Sequence, residues 1–194
     1  LLTSTGGSMS PYTIQCLKGS RRHRIEVIAV DANPDALGRH FADAFAVVPP
    51  GHAPSYADRI LEVCEQFGAD LVLPCSDEEA VALCQEVERI EGNGRRKLAA
   101  PPLAAIEIMS DKLETLRFLD RIGVPAPEWM VARSAAELTA ALDELWSRHL
   151  AVVVKPVRSR GSRDVFVIER DRTGWHQPQG HREVYCDLAS FRGT

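Results

Sequence analysis

Apolar residues in this chain occur as short unbroken runs separated by stretches in which they return every third or fourth position. That alternation predicts strands joined by helices. Residues 1–3 read as the end of a strand running into Thr5, Gly6, Gly7 and Ser8, and residues 10–18 as a polar-capped helix. The β-branched run 25–32, closed by Asp31 and by Asn33–Pro34, predicts a second strand, and residues 44–49 a third. From Ser55 a helix carries Ile60, Leu61, Cys64 and Phe67 on one stripe and stops at Gly68. Residues 70–74 predict a short strand, almost wholly apolar as suits a strand covered on both faces. Ser76 with Glu79 reads as a capping box for a helix through Ile90, and Gly92 leads into a fifth strand near residues 97–100. Strands spaced by single helices imply βαβ crossovers, so the first half is expected to be a doubly wound parallel sheet.

Past Pro101–Pro102 the pattern changes. A short helix over 103–108 leads to Ser110 and Asp111, a start signal for a helix bearing Leu113, Leu116, Leu119 and Ile122 on one face. Gly123, Pro125 and Pro127 supply its stop. Ser134 with Glu137 opens a further helix reaching about Leu145, after which 151–155 and 165–168 read as a hairpin around a polar, Gly-containing loop. The expected division is a domain over 1–108 and a second, α+β domain over 109–194. From Glu169 onward the periodicity is weak, with one faint strand at 183–187. A truncation, a disrupted reading frame or a natural short form would each account for that.

Composition narrows the partners. The chain has 194 residues, 45% hydrophobic and 26% charged, with a net charge of -4, which is ordinary globular usage and gives no electrostatic basis for a nucleic acid partner. No apolar stretch reaches the roughly 18 residues of a membrane span, and no basic segment with an apolar run opens the chain, so the expected location is the cytoplasm. The five cysteines are scattered with no pair two residues apart, which argues against a zinc cluster or redox motif. Cys64 and Cys84 sit among apolar helix positions and read as buried thiols.

Only four of the 23 basic residues are lysine, and two of those carry the chemistry. Lys112 lies in the first turn of a helix, where a cation opposes the macrodipole by a few tenths of a kcal/mol unless an anion visits the same place. A solvated surface lysine is its plainer alternative. Lys155 closes the apolar strand 151–154 and is followed by Pro156, then by a loop with Arg158, Arg160, Gly161, Ser162 and Arg163. Three guanidinium groups around a glycine can fold over a polyphosphate; a solvated hairpin tip is the alternative. Gly6–Gly7 lack the third glycine and the spacing of a dinucleotide fingerprint. Asp31 therefore reads as a strand-end turn residue rather than a ribose ligand, and a nicotinamide-dependent oxidoreductase is disfavoured.

Taken together these segments resemble the ATP-grasp superfamily, and within it proteins like the carbamoyl-phosphate synthase large chain. "MSDKLETLRFLDRIGVPAP" resembles the family's helix that opens on Asp-Lys, and "LAVVVKPVRSRGSRDVFVI" its lysine strand and phosphate loop. "LLTSTGG", "VIAVDANPDA" and "DLVLPCSDEEAVAL" resemble the preceding domain, so the likeness spans about residues 1–168. It implies a doubly wound parallel-sheet pre-ATP-grasp domain followed by the small α+β lid domain of an ATP-grasp fold, incomplete at its C-terminal side. It implies ATP phosphate contacts from Lys112, Lys155 and the loop bearing Arg158, Arg160, Gly161, Ser162 and Arg163. It also implies Mg²⁺, with metal ligands expected outside this chain, and ATP-dependent activation of a small carboxylate through an acyl phosphate. Asp164 departs from the family, whose loops often carry Gly there. A lid without its other half leaves an apolar sheet face open, so a homo-oligomer is expected. The alternative function is a non-catalytic nucleotide- or partner-binding module lacking the metal site.

Overall fold

The computed structural model describes residues 1–92, 94–159 and 161–193. It divides into two compact units, Leu1–Ser110 and Asp111–Thr194.

The first unit runs α1 (Ser10–Lys18), β1 (Ile28–Asp31), a 3₁₀ turn (Leu37–His40), β2 (Ala44–Val47), α2 (Tyr56–Phe67), β3 (Leu71–Val72), α3 (Asp77–Gln85), α4 (Val87–Glu91), β4 (Lys97–Leu98) and α5 (Leu103–Ser110). β1 pairs with β2 and β3 with β4, both parallel. Leu2 joins the pairs, bridging in parallel to Ala29 on one side and Leu73 on the other. The order across the sheet is therefore β2, β1, the Leu2 segment, β3, β4, a doubly wound arrangement with its first segment in the middle. Side chains of β1 alternate between two clusters. Val30 packs with Tyr56, Ile60, Val63 and Cys64 of α2 and with Leu83 of α3, while Ala29 packs with Leu2 and with Ile14 of α1. Each fully buried Ile or Leu contributes about 1.5–3 kcal/mol relative to an exposed one, so the two clusters together hold helices on both sheet faces.

Three local expectations shift. The buried stripe of α2 is Tyr56, Ile60, Val63 and Cys64, whereas Phe67 is 37% exposed at the C-terminal end, beside Gly68 in the left-handed conformation at φ 62°. β3 has only two residues, and Leu71 is 44% exposed, so cover on both faces begins at Val72. The helix expected to run through Ile90 breaks at Glu86, whose φ of -112° and ψ of 22° leave the helical region, and it resumes as α4. At its start Ser76 Oγ accepts the Glu79 N–H, but the Glu79 carboxylate turns inward instead of closing the box.

The second unit comprises α6 (Lys112–Arg121), α7 (Ala135–Arg148), β5 (Ala151–Val154), β6 (Phe166–Glu169), β7 (Val184–Cys186) and α8 (Leu188–Arg192). β5 and β6 form the antiparallel hairpin, in register from Ala151 opposite Glu169 to Val154 opposite Phe166, and β7 adds in parallel to β6. Leu142, Val152, Ile168 and Cys186 make its core, with Leu138, Leu145, Trp146 and Phe191 packed around them. On the opposite sheet face Ala151 and Val153 are exposed. α7 continues to Arg148, three residues beyond the expected Leu145. α6 has its apolar stripe but no fully buried residue. The fold class is the one the pattern and the resemblance led us to expect.

Candidate functional site

The second unit's site is organised by the start of α6. Asp111 takes the extended N-cap conformation, and its Oδ1 accepts the N–H groups of Leu113 at 3.0 Å and Glu114 at 3.1 Å. This satisfies two of the four N–H groups that every helix start leaves open. Its Oδ2 accepts Arg158 Nε at 3.0 Å. Asp111 is 8% exposed, and the Glu114 N–H first, with Arg158 behind it, holds its carboxyl below the usual aspartate range.

Lys112, the first helical residue, donates its backbone N–H to the Val157 carbonyl at 3.0 Å. Its Nζ donates to the Ser159 carbonyl at 2.8 Å and lies 3.2 Å from Ser159 Oγ. The cation at the head of the helix is thus offset by carbonyl and hydroxyl dipoles from a loop 47 residues away in sequence. Two consecutive residues, Asp111 and Lys112, fasten the helix start to the segment that follows β5.

Lys155 is exposed and has no ion-pair partner among the described residues. It lines, together with Lys112, a cleft of about 920 Å³ whose walls include Leu116, Met130, Leu138 and Val154. In the loop beyond it Gly161 lies at φ 60°, Ser162 at φ 56° and Asp164 at φ 56°. Left-handed backbone at two non-glycine positions is unusual, and Asp164 occupies the position where the resemblance led us to expect Gly. Arg163 is exposed and unpaired among the described residues, Arg158 is engaged by Asp111, and Arg160 lies outside the described residues. Of the expected site residues, the structure brings Lys112 and Lys155 to one cleft and ties Lys112 to Ser159 of the loop. Asp111, read from sequence only as a helix start, is the missed member; its order beside Lys112 was the available signal.

In the first unit Asp31 behaves as the turn residue expected. Its Oδ2 accepts the Gly6 N–H at 2.6 Å and its Oδ1 the Asn33 N–H at 2.9 Å. Glu79 was not singled out for chemistry, yet it is 6% exposed and accepts hydrogen bonds from Thr3 Oγ1 at 2.7 Å and Ser76 Oγ at 2.8 Å. Those contacts sit at the carboxyl ends of the Leu2 segment and β3, where the sheet order reverses and α/β proteins place ligands. Burial first, and the Glu79 carboxylate after it, raise the pKa of the neighbouring Tyr56 hydroxyl.

Comparison with known proteins bears on the fold. Residues 1–96 match the family described as PylC-like, N-terminal domain. Over 154 residues the chain is 26% identical to carbamoyl-phosphate synthase of Methanobrevibacter smithii, covering 77% of this chain and 38% of that protein. Over 119 residues it is 34% identical to one of the subunits of pyruvate carboxylase from Methanothermobacter thermautotrophicus, covering 58% of this chain and 23% of that one. Among solved structures, the biotin carboxylase domain dimer of Hydrogenobacter thermophilus 2-oxoglutarate carboxylase, in complex with MgADP, ADP and bicarbonate, superposes with a TM-score of 0.58 at 18% identity. That match covers 87% of this chain and 37% of that one, a likeness of fold. The chain thus spans well under half the length of these relatives. These matches support the resemblance to the ATP-grasp superfamily, and the chain is similar to the N-terminal portion of the carbamoyl-phosphate synthases.

Proposed function

We propose that this chain binds ATP through its second unit, as the lid part of a ligase that activates a small carboxylate, with the first unit as the pre-ATP-grasp domain. Lys112 and Lys155 neutralise phosphate oxygens, and the loop over 158–163, through Arg158, Arg160, Gly161, Ser162 and Arg163, folds over the terminal phosphates. Bound ATP supplies the phosphoryl group that turns a carboxylate into an acyl phosphate, which a nucleophile then attacks. The residues of this chain bind and orient that group and spread its charge. The observation that carries the reading is the pair of lysines lining one cleft, with Lys112 bonded to Ser159 of the loop.

Among the described residues no group of three His, Cys, Asp or Glu is placed to hold a metal ion. Mg²⁺ takes no part in the roles assigned to these residues. A second reading is a module that binds nucleotide or a partner without turnover. Release of phosphate in the presence of small carboxylates separates the two. No helix of the described residues is long and apolar enough to cross a membrane. We assign the protein to the cytoplasm and expect it to self-associate through the open face of the second unit's sheet, where Val153 is 50% exposed.

The test is thermal. Ligand at a hundredfold excess over Kd stabilises the state that binds it by about 2.7 kcal/mol. ATP therefore raises Tm of the wild type, and added salt reduces the shift. Lys155→Ala removes most of it, whereas Lys18→Ala, which breaks only the 2.6 Å pair with Asp43 in the first unit, leaves it intact. No shift with millimolar ATP, or equal shifts in both variants, refutes the assignment.

A further inference from the structure

Between β6 and β7 the chain folds into a second loop with its own internal bonding. His176 and Tyr185 each donate a backbone N–H to the other's carbonyl at 2.8 Å, which closes its base. The Gln177 side-chain amide donates to the carbonyls of His181 at 3.1 Å and Arg182 at 3.2 Å. His181 Nδ1 lies 2.7 Å from Glu183 Oε1, and that bond first, with smaller help from the Glu183 backbone and Ser162, holds the Glu183 carboxyl at about 2. The carboxylate beside Arg182 in sequence is therefore occupied by His181.

Arg182 itself turns toward the β5–β6 loop. A methyl group on Gly161, at φ 60°, would stand 2.9 Å from Arg182 Nη1, so the guanidinium packs directly on the glycine turn. Arg182 is exposed and, among the described residues, has no carboxylate within ion-pair distance. Arg158, by contrast, has its Nε committed to Asp111.

We propose that Arg182 is a phosphate-binding residue, brought by the β6–β7 connection to the glycine turn of the β5–β6 loop, where it joins Arg163 as a second uncommitted cation for a linear polyphosphate. The inference rests on the reading of that loop as a phosphate loop and names a linear polyphosphate, free or as the tail of a nucleotide, as the ligand. A planar guanidinium offers paired donors to phosphate oxygens and is indifferent to the base. Inorganic tripolyphosphate and ATP share that chemistry, and only ATP carries a nucleoside for the cleft that Lys112 and Lys155 line.

Titration calorimetry of the full chain with ATP and, separately, with inorganic tripolyphosphate tests this. Arg182→Ala is expected to weaken both ligands about tenfold without changing Tm of the unliganded protein, and Arg182→Lys to recover part of the loss. Unchanged ATP affinity in Arg182→Ala, where Lys155→Ala weakens it, overturns the inference and leaves the nucleotide reading standing. Tripolyphosphate binding that falls in Arg182→Ala, in a protein that does not bind ATP, supports the inference and refutes the nucleotide reading. A wild type that binds neither ligand, or an Arg182→Lys as weak as Arg182→Ala, overturns the inference.

Discussion

Replacing Asp111 probes the joint on which the candidate site depends. In the wild type one carboxylate oxygen caps α6 and the other holds Arg158, with Asp111 8% exposed and the Arg158 side chain 72% exposed. Loss of an N-cap acceptor costs about 0.5–2 kcal/mol. The contact with Arg158 is largely in solvent, so it is discounted to at most about 1 kcal/mol. Asp111→Ala should therefore destabilise the second unit by about 2 kcal/mol, and Asp111→Asn, which keeps an oxygen for the cap, by about 1 kcal/mol or less. For a unit of this size that first figure corresponds to roughly 8–16 °C in Tm. All three tryptophans, Trp129, Trp146 and Trp175, lie in the second unit, so urea unfolding followed by tryptophan fluorescence reads it selectively. The carboxyl pKa is lowered in the folded state. Its stabilisation is thus complete above the unfolded value near 4 and is lost as pH falls through the lower, folded value. The gap between wild type and Asp111→Asn should be full at pH 7 and shrink below about pH 4. Equal losses in the two variants, or a gap that grows as pH falls, would refute the dual role.

Two further substitutions test backbone and packing. Asp164→Gly, at φ 56°, should stabilise the second unit or leave it unchanged, because relief of left-handed strain of about 1–2 kcal/mol exceeds the roughly 0.4–1 kcal/mol of added unfolded-state entropy. It should also tighten ATP binding by removing a negative charge that lines the cleft, and a destabilised variant with weaker binding contradicts both points. Gly38→Ala in the first unit puts a Cβ 2.4 Å from Thr5 Cβ and should cost about 1–3 kcal/mol. Circular dichroism melts decide it, and a variant as stable as wild type would mean that the 3₁₀ turn yields easily.

Much of this fold could be read from local signals. Ser76, Asp111 and Ser134 each begin the helix expected of them, because a side-chain oxygen facing a free N–H is settled within three residues. Short apolar runs likewise located β1, β2, β5 and β6. What escaped was decided at a distance. Val63 is fully buried and Phe67 is 37% exposed, a difference set by what packs on α2, and the break at Glu86 carries no Pro or Gly to announce it. In the site, the order of Lys112 and Lys155 was legible, but the bonds from Asp111 and Lys112 to residues near 158 join partners 47 apart. The segment 170–183 is held by a bridge and side-chain to carbonyl bonds instead of by a repeating face, so no period could reveal it.

The middle position of the Leu2 segment has a consequence for how the first unit assembles. This segment is synthesised before both of its neighbours, yet it bonds β1 on one flank and β3 on the other, so its second edge stays open until about residue 73 has been made. Pairings between distant segments are slow to form, and an unpaired edge meanwhile invites association with other chains. Deleting residues 1–3 would leave two separate two-stranded pairs where there had been one sheet, each too small to be stable alone. Anything joined ahead of Leu1 must therefore allow a strand buried at the centre of the sheet to be threaded into place.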